Sequence, residues 1–180
     1  MRRSVLVIAL AATLAGCSGS TGTAAPPATT SPAPTESASG SPAPKSASVG
    51  GTIALRGLDE GLVVDVTVVK VIDPYQLESK VLVPEKGTRL VAMQLKLTNT
   101  GTAAYSDSPA NGAVLYDVDD VKWQSVVTGE SSALVSVTLS PGGSRTGLVY
   151  FQLPTKLRIA RFQLTLNSGY GPETGEWNLG

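Results

Sequence analysis

No histidine occurs in the 180 residues of this chain, and a single cysteine, Cys17, stands near its start. The first absence removes Ser-His-Asp and Cys-His nucleophilic catalysis, imidazole zinc centres and histidine proton shuttles together. Methionine is almost missing as well: beyond Met1 there is only Met93, on an apolar strand face, so no soft-ligand set for copper can be assembled. The chain contains no G-x-x-x-x-G-K-[ST] loop, no G-x-G-x-x-G fingerprint and no S-x-x-K nucleophile pattern. These gaps leave no catalytic residues to name, no cofactor to expect and a non-enzymatic protein as the expectation. Charge is sparse too, at 16% of residues with 14 basic and 14 acidic, and no basic stripe marks a nucleic-acid footprint. No apolar run reaches eighteen residues, so no transmembrane helix is expected.

What is present begins with an export signal. Arg2 and Arg3 precede the apolar run Val5 to Leu14, interrupted only by Thr13 and followed by the small residues Ala15 and Gly16. As a helix this run would be roughly 15 Å long, half of a roughly 30 Å hydrocarbon core. No further twin-arginine motif follows the two arginines, which favours the general export route. Leu14, Ala15, Gly16 and Cys17 resemble a bacterial lipobox, the signature of lipoprotein precursors. The resemblance implies that residues 1–16 are removed, that Cys17 carries diacylglycerol and that the mature chain starts there. Two acyl chains anchor stably where one binds only marginally. The membrane is thus an expected partner, with the protein lipid-anchored on the extracytoplasmic face.

From Ser18 to Gly50 the composition turns to Ser, Thr, Ala, Pro and Gly, and only Glu36 and Lys45 are charged. Such a stretch buries too little apolar surface to offset its chain entropy, so residues 17–50 read as a lipidated, disordered tether. Without Arg2 and Arg3 the mature chain has 12 basic against 14 acidic residues.

Residues 51–180 read as one domain, long enough for a well-buried core and free of cysteine, so its stability must come from packing. Its apolar residues alternate. Val91, Met93, Leu95 and Leu97 share one face opposite Gln94, Lys96 and Thr98; Leu62, Val64, Val66 and Val68 oppose Asp65 and Thr67; Phe162, Leu164 and Leu166 oppose Arg161, Gln163 and Thr165. "GLVYFQL" is apolar on both faces, as in a central strand or one covered on its outer side. Strands are expected at about 52–57, 61–72, 88–98, 113–118, 121–126, 133–139, 145–153, 158–166 and 175–179, with residues 78–87 a loop and Pro141-Gly142-Gly143 a type II turn. About seven to nine short strands without an amphipathic helix argue for an all-β, antiparallel β-sandwich.

"LKLTNTG" at 95–101, "LYD" at 115–117 and "PGGSRTGLVYFQLP" at 141–154 resemble the landmarks of the bacterial domain of unknown function 4352. That resemblance implies an immunoglobulin-like sandwich common in exported lipoproteins, and it brings no catalytic or ligand residues. Asp120 departs from the pattern, standing where the family tends to have glycine.

Two groups remain as candidate sites. Asp117, Asp119 and Asp120 bunch at one turn and could offer hard oxygens to calcium, but their spacing is not that of an EF-hand, and aspartates are ordinary turn formers. Tyr170 and Trp177 lie in a glycine-rich tail as a possible binding surface; alternatively, Trp177 closes the sandwich in a last edge strand. The expected function is an exported, membrane-anchored, non-enzymatic binding or accessory module that meets an envelope protein or ligand. A self-assembling envelope component is the alternative, and a carboxylate-based hydrolase or calcium-binding domain comes third.

Overall fold

Alternating apolar side chains become architecture in a computed structural model that describes residues 42–78 and 84–180. The signal, Cys17 and the tether up to residue 41 lie outside the described residues, as do 79–83 of the expected loop. The strands are β1 (Lys45–Ser48), β2 (Thr52–Arg56), β3 (Val63–Tyr75), β4 (Thr88–Asn99), β5 (Tyr105–Asp107), β6 (Ala113–Asp117), β7 (Lys122–Gln124), β8 (Val137–Leu139), β9 (Ser144–Pro154), β10 (Ile159–Thr165) and β11 (Thr174–Asn178). They form one sheet in the order β2-β3-β4-β9, a second in the order β1-β11-β10-β6-β7 and a small β5-β8 pair. The fold is a β-sandwich, and among the described residues no helix is long and apolar enough to cross a membrane.

The described residues hold eleven strands rather than seven to nine. The two unforeseen ones are β1, a Lys-Ser-Ala-Ser stretch with no large aliphatic side chain, and the three-residue β5. The sandwich therefore takes in residues 45–48, ahead of the expected start at 51. It is also not wholly antiparallel, because β1 runs parallel to β11. The expected strand at 133–139 contracts to β8, leaving Ala133 in a single bridge to Leu148.

Val64, Val66 and Val68 of β3 and Val91, Met93, Leu95 and Leu97 of β4 share one buried core with Leu115, Phe162, Leu164 and Trp177 from the other sheet and with Leu166 just after β10. Each fully buried Val, Leu or Phe contributes about 1.5–3 kcal/mol relative to exposure. β9 is an edge strand that is apolar on both sides, and the chain hides its outer side itself. Residues 126–134 cross over it, with Val126 bridged to Tyr150 and Ala133 to Leu148. Ala92, Ala133, Leu148 and Tyr150 form a small second core there, and Tyr75 meets Tyr150 edge-on at 5.0 Å. Covering an edge this way removes a template for unwanted strand pairing.

The motifs that carry the family resemblance are locks for turns. Asn99, fully buried, donates from Nδ2 to the Ala103 and Leu139 carbonyls at 2.8 and 3.0 Å, and its Oδ1 accepts from Gly101 N at 3.1 Å. Its backbone exchanges hydrogen bonds with Gly142 and Gly143, so "LTNTG" and "PGG" meet. Gly142 has φ +79° and Gly143 N bonds Ser140 O at 2.8 Å, as the type II turn requires. Asp120 takes the left-handed conformation, φ +67°, that a glycine would adopt without strain.

Candidate functional site

Glu173, Gly175 and Trp177 fall in phase on β11 and the residue before it, so all three point inward. At the core end, Trp177 is fully buried. Its indole N–H donates to Gly51 O at 2.9 Å, its ring packs 5.8 Å from Phe162, and a Cβ at Gly175 would sit 2.7 Å from that ring. Trp177 therefore closes the sandwich and is not part of a binding surface. Nor is β11 an edge, because β1 lies outside it.

At the other end of this row stands a carboxylate. Glu173 is only 9% exposed. Its Oε2 accepts from Lys45 Nζ at 2.7 Å and from Arg56 N at 2.8 Å, while Oε1 accepts from Arg56 Nε at 2.9 Å and lies 2.8 Å from the other guanidinium nitrogen, Nη2. Lys45 Nζ also donates to Ala54 O at 2.8 Å. One side chain thereby ties together β1, β2 and the start of β11. Burial alone would raise the Glu173 pKa, but the bonds from Lys45 and from the Arg56 backbone and side chain outweigh it and hold the value at about 2. Ionised, with donors on both oxygens, this group is a clasp rather than a carrier of protons.

Beside the clasp opens a cleft of about 710 Å³, lined by Lys45, Arg56, Leu58, Leu62, Pro172 and Glu173 among others. Leu58 stands on the 57–62 loop and is 62% exposed, and its N–H is held by Asn167 Oδ1 at 2.9 Å. Gly61, at φ +78°, lets this loop turn tightly. The cleft combines apolar walls with a fixed charge cluster, the make-up of a ligand site. It lies at the end where the chain joins the sandwich from its N-terminal segment, since Pro42 and Ala43 also line it.

The residues singled out from sequence are scattered. Cys17 lies outside the described residues. Tyr170 is 80% exposed, two residues from the cleft-lining Pro172. Asp117 turns inward: Oδ1 accepts from the N–H groups of Asp119 and Val121, both at 2.9 Å, and Oδ2 from Trp123 Nε1 at 3.1 Å. The bond from Val121 leads in lowering its pKa, with those from Trp123 and Asp119 adding against the effect of burial. Asp120 pairs with Arg161 at 2.5 Å, and Asp119 is exposed. Among the described residues no three or more potential ligand side chains converge on one point. The sequence reading missed Glu173, although its place in phase with Trp177 was a signal, because an inward carboxylate must meet a cation.

A profile of the family described as "Domain of unknown function (DUF4352)" matches residues 60–173, more than half of the chain. Among solved structures, a secreted Mycobacterium tuberculosis protein, MPT63, aligns with TM-score 0.54 at 13% identity, over 76% of this chain and 98% of its own. YcdA of Bacillus subtilis, assigned provisionally as a lipoprotein, aligns with TM-score 0.54 at 15% identity, over 74% of this chain and only 38% of its own. The Bacillus subtilis yjhA protein gives 0.53 at 17% identity, over 74% and 98%. At these identities the likeness is one of fold. No curated protein sequence matches the chain.

Proposed function

Since the chain belongs to the DUF4352 family, we propose that it is an exported, non-enzymatic binding or accessory module, lipid-anchored through Cys17 to the outer face of the cytoplasmic membrane. The observation that carries the binding role is the cleft beside the Lys45–Glu173–Arg56 clasp: a concave, largely apolar site with fixed charges, at the end where the chain joins the sandwich. The lipobox residues Leu14 to Cys17 and the Ser/Pro/Ala-rich stretch after them support the anchored location. The likeness in fold to a secreted protein and to a provisionally assigned lipoprotein is consistent with export.

Two measurements test this. Cys17→Ser moves the protein from the membrane pellet to the supernatant, and retention in the pellet counts against the anchor. A photo-crosslinker at Leu58, on the cleft, gives a defined adduct in the native membrane that the same group at the exposed Val127 does not. Equal labelling from both positions would reject the cleft as the binding place.

The second reading, self-assembly, draws on the outer edges of β1 and β2, which among the described residues have no neighbouring strand in the sheets. Light scattering separates the readings: a strict monomer at all concentrations removes self-assembly.

A further inference from the structure

The sequence just before the sandwich contains two versions of one short segment. Lys45-Ser46-Ala47-Ser48 forms β1, and nine residues upstream stands Glu36-Ser37-Ala38-Ser39. Within the strand, side-chain size does not distinguish them, since Ser-Ala-Ser is common to both. They differ at the first position, and that is the position facing Glu173.

We infer that the edge of β11, with Glu173 at its head, is an acceptor site for an extended parallel strand whose first residue is basic and whose third is small, and that Glu173 selects Lys45–Ser48 over the upstream copy. The third position matters because Ala47 is the one β1 residue that is not exposed. It pairs in register with Trp177, packs against the core and faces Gly51, where an added Cβ would lie 2.9 Å from the Ala47 methyl, so a small residue suits this close approach. The first matters because Lys45 Nζ bonds both Glu173 Oε2 and the Ala54 carbonyl. Placing Glu36 there would set one carboxylate against another that is already nine-tenths buried, and would leave the Ala54 carbonyl without this donor.

Chain entropy helps the choice without deciding it. Docking 45–48 leaves residues 49–51 to connect to β2, whereas docking 36–39 would leave residues 40–51. Closing the longer connection is disfavoured only about eightfold. Charge adds to this, as does the turn after β1, where Gly51 N donates to Ser48 O at 2.9 Å while the matching residue after Ser39, Pro42, has no N–H.

The test exchanges the charges in the full chain and reads amide hydrogen exchange by residue. In the wild type, protection falls on 45–48. In the double variant Lys45→Glu with Glu36→Lys it moves to 36–39. In Glu36→Lys alone both segments carry a cation, and protection at 45–48 prevails by at least about eightfold, the loop-closure ratio. If the double variant is unfolded, Lys45→Gln with Glu36→Lys asks the same question without a buried repulsion. Protection that stays at 45–48 in the exchanged protein, or that appears at neither segment while the sandwich remains folded, overturns the inference.

Discussion

Replacing Glu173 by glutamine keeps the shape of the side chain and removes its charge, and the clasp shows why the amide cannot serve. Both carboxylate oxygens face donors, Lys45 Nζ and Arg56 N on one side and the Arg56 guanidinium on the other. Whichever way the amide is turned, its NH2 points at donors. Lowering the carboxyl pKa from the ordinary 4.5 to about 2 corresponds to at most about 3 kcal/mol at neutral pH. Lys45 and Arg56 are 45% and 71% exposed, so solvent screening reduces this to about 1–2 kcal/mol. For a domain of this size that is a fall in Tm of about 3–8 °C. The sign follows from the direction of the shift. A carboxyl depressed in the folded state stabilises fully above its unfolded pKa, and that contribution is lost as pH falls from about 4.5 to about 2. Thermal unfolding followed by circular dichroism should give a clear gap between wild type and Glu173→Gln at pH 7 that narrows through pH 4 and nearly closes at pH 2, where the protonated acid is as poor a partner as the amide. A gap of equal size at pH 7 and pH 2, or none at pH 7, would refute the reasoning.

Trp177→Ala should cost about 3–5 kcal/mol, measured by urea unfolding, and deletion of residues 170–180 should lower Tm sharply; an unchanged melting curve in either would contradict the burial of this side chain. Asn99→Ala removes the amide donor from the Ala103 and Leu139 carbonyls, while Gly101 N keeps its bond to Val63 O, and should cost about 1–3 kcal/mol, again by urea titration. Asp120→Gly relieves left-handed strain while losing an exposed ion pair, so stability should move by less than about 1 kcal/mol, whereas Asp120→Val should destabilise by about 1–2 kcal/mol. Tyr170→Ala should leave Tm unchanged, because the ring is 80% exposed; a drop of several degrees would place it in the packing.

The parts of this fold that were legible in the sequence are those whose side chains report burial. Val91 to Leu97 and Val64 to Val68 alternate because one face is wet and the other dry, and the strands lie where that period puts them. The Pro-Gly-Gly turn was readable because φ > 0 demands glycine. β1 was not readable: it is held by a backbone ladder and one lysine, and Ser and Ala give no hydropathy signal. Residues 126–134 were half legible, since "GLVYFQL" announced a covered outer face without saying what covers it. The clasp was hidden for a different reason: its three members are more than a hundred residues apart at the widest. The parallel pairing of β1 with β11 brings Lys45 to Glu173, and the packing of β2 from the other sheet brings Arg56; composition carries no trace of either long-range contact. Trp177 illustrates the limit of chemistry read without position, because the same aromatic ring suits a recognition surface or a core.

The cleft sits at the seam of the family pattern. That pattern runs from residue 60 to 173, so Lys45, Arg56 and Leu58 precede it and Thr174 follows it, and the turn locks at Asn99, Asp117 and Gly142 all lie inside. Homology among members is therefore a statement about scaffold. A ligand found for one relative transfers to another only after the flanking chain has been compared, since part of the wall of the site, Lys45, Arg56 and Leu58 among it, is written in sequence that the shared pattern does not cover.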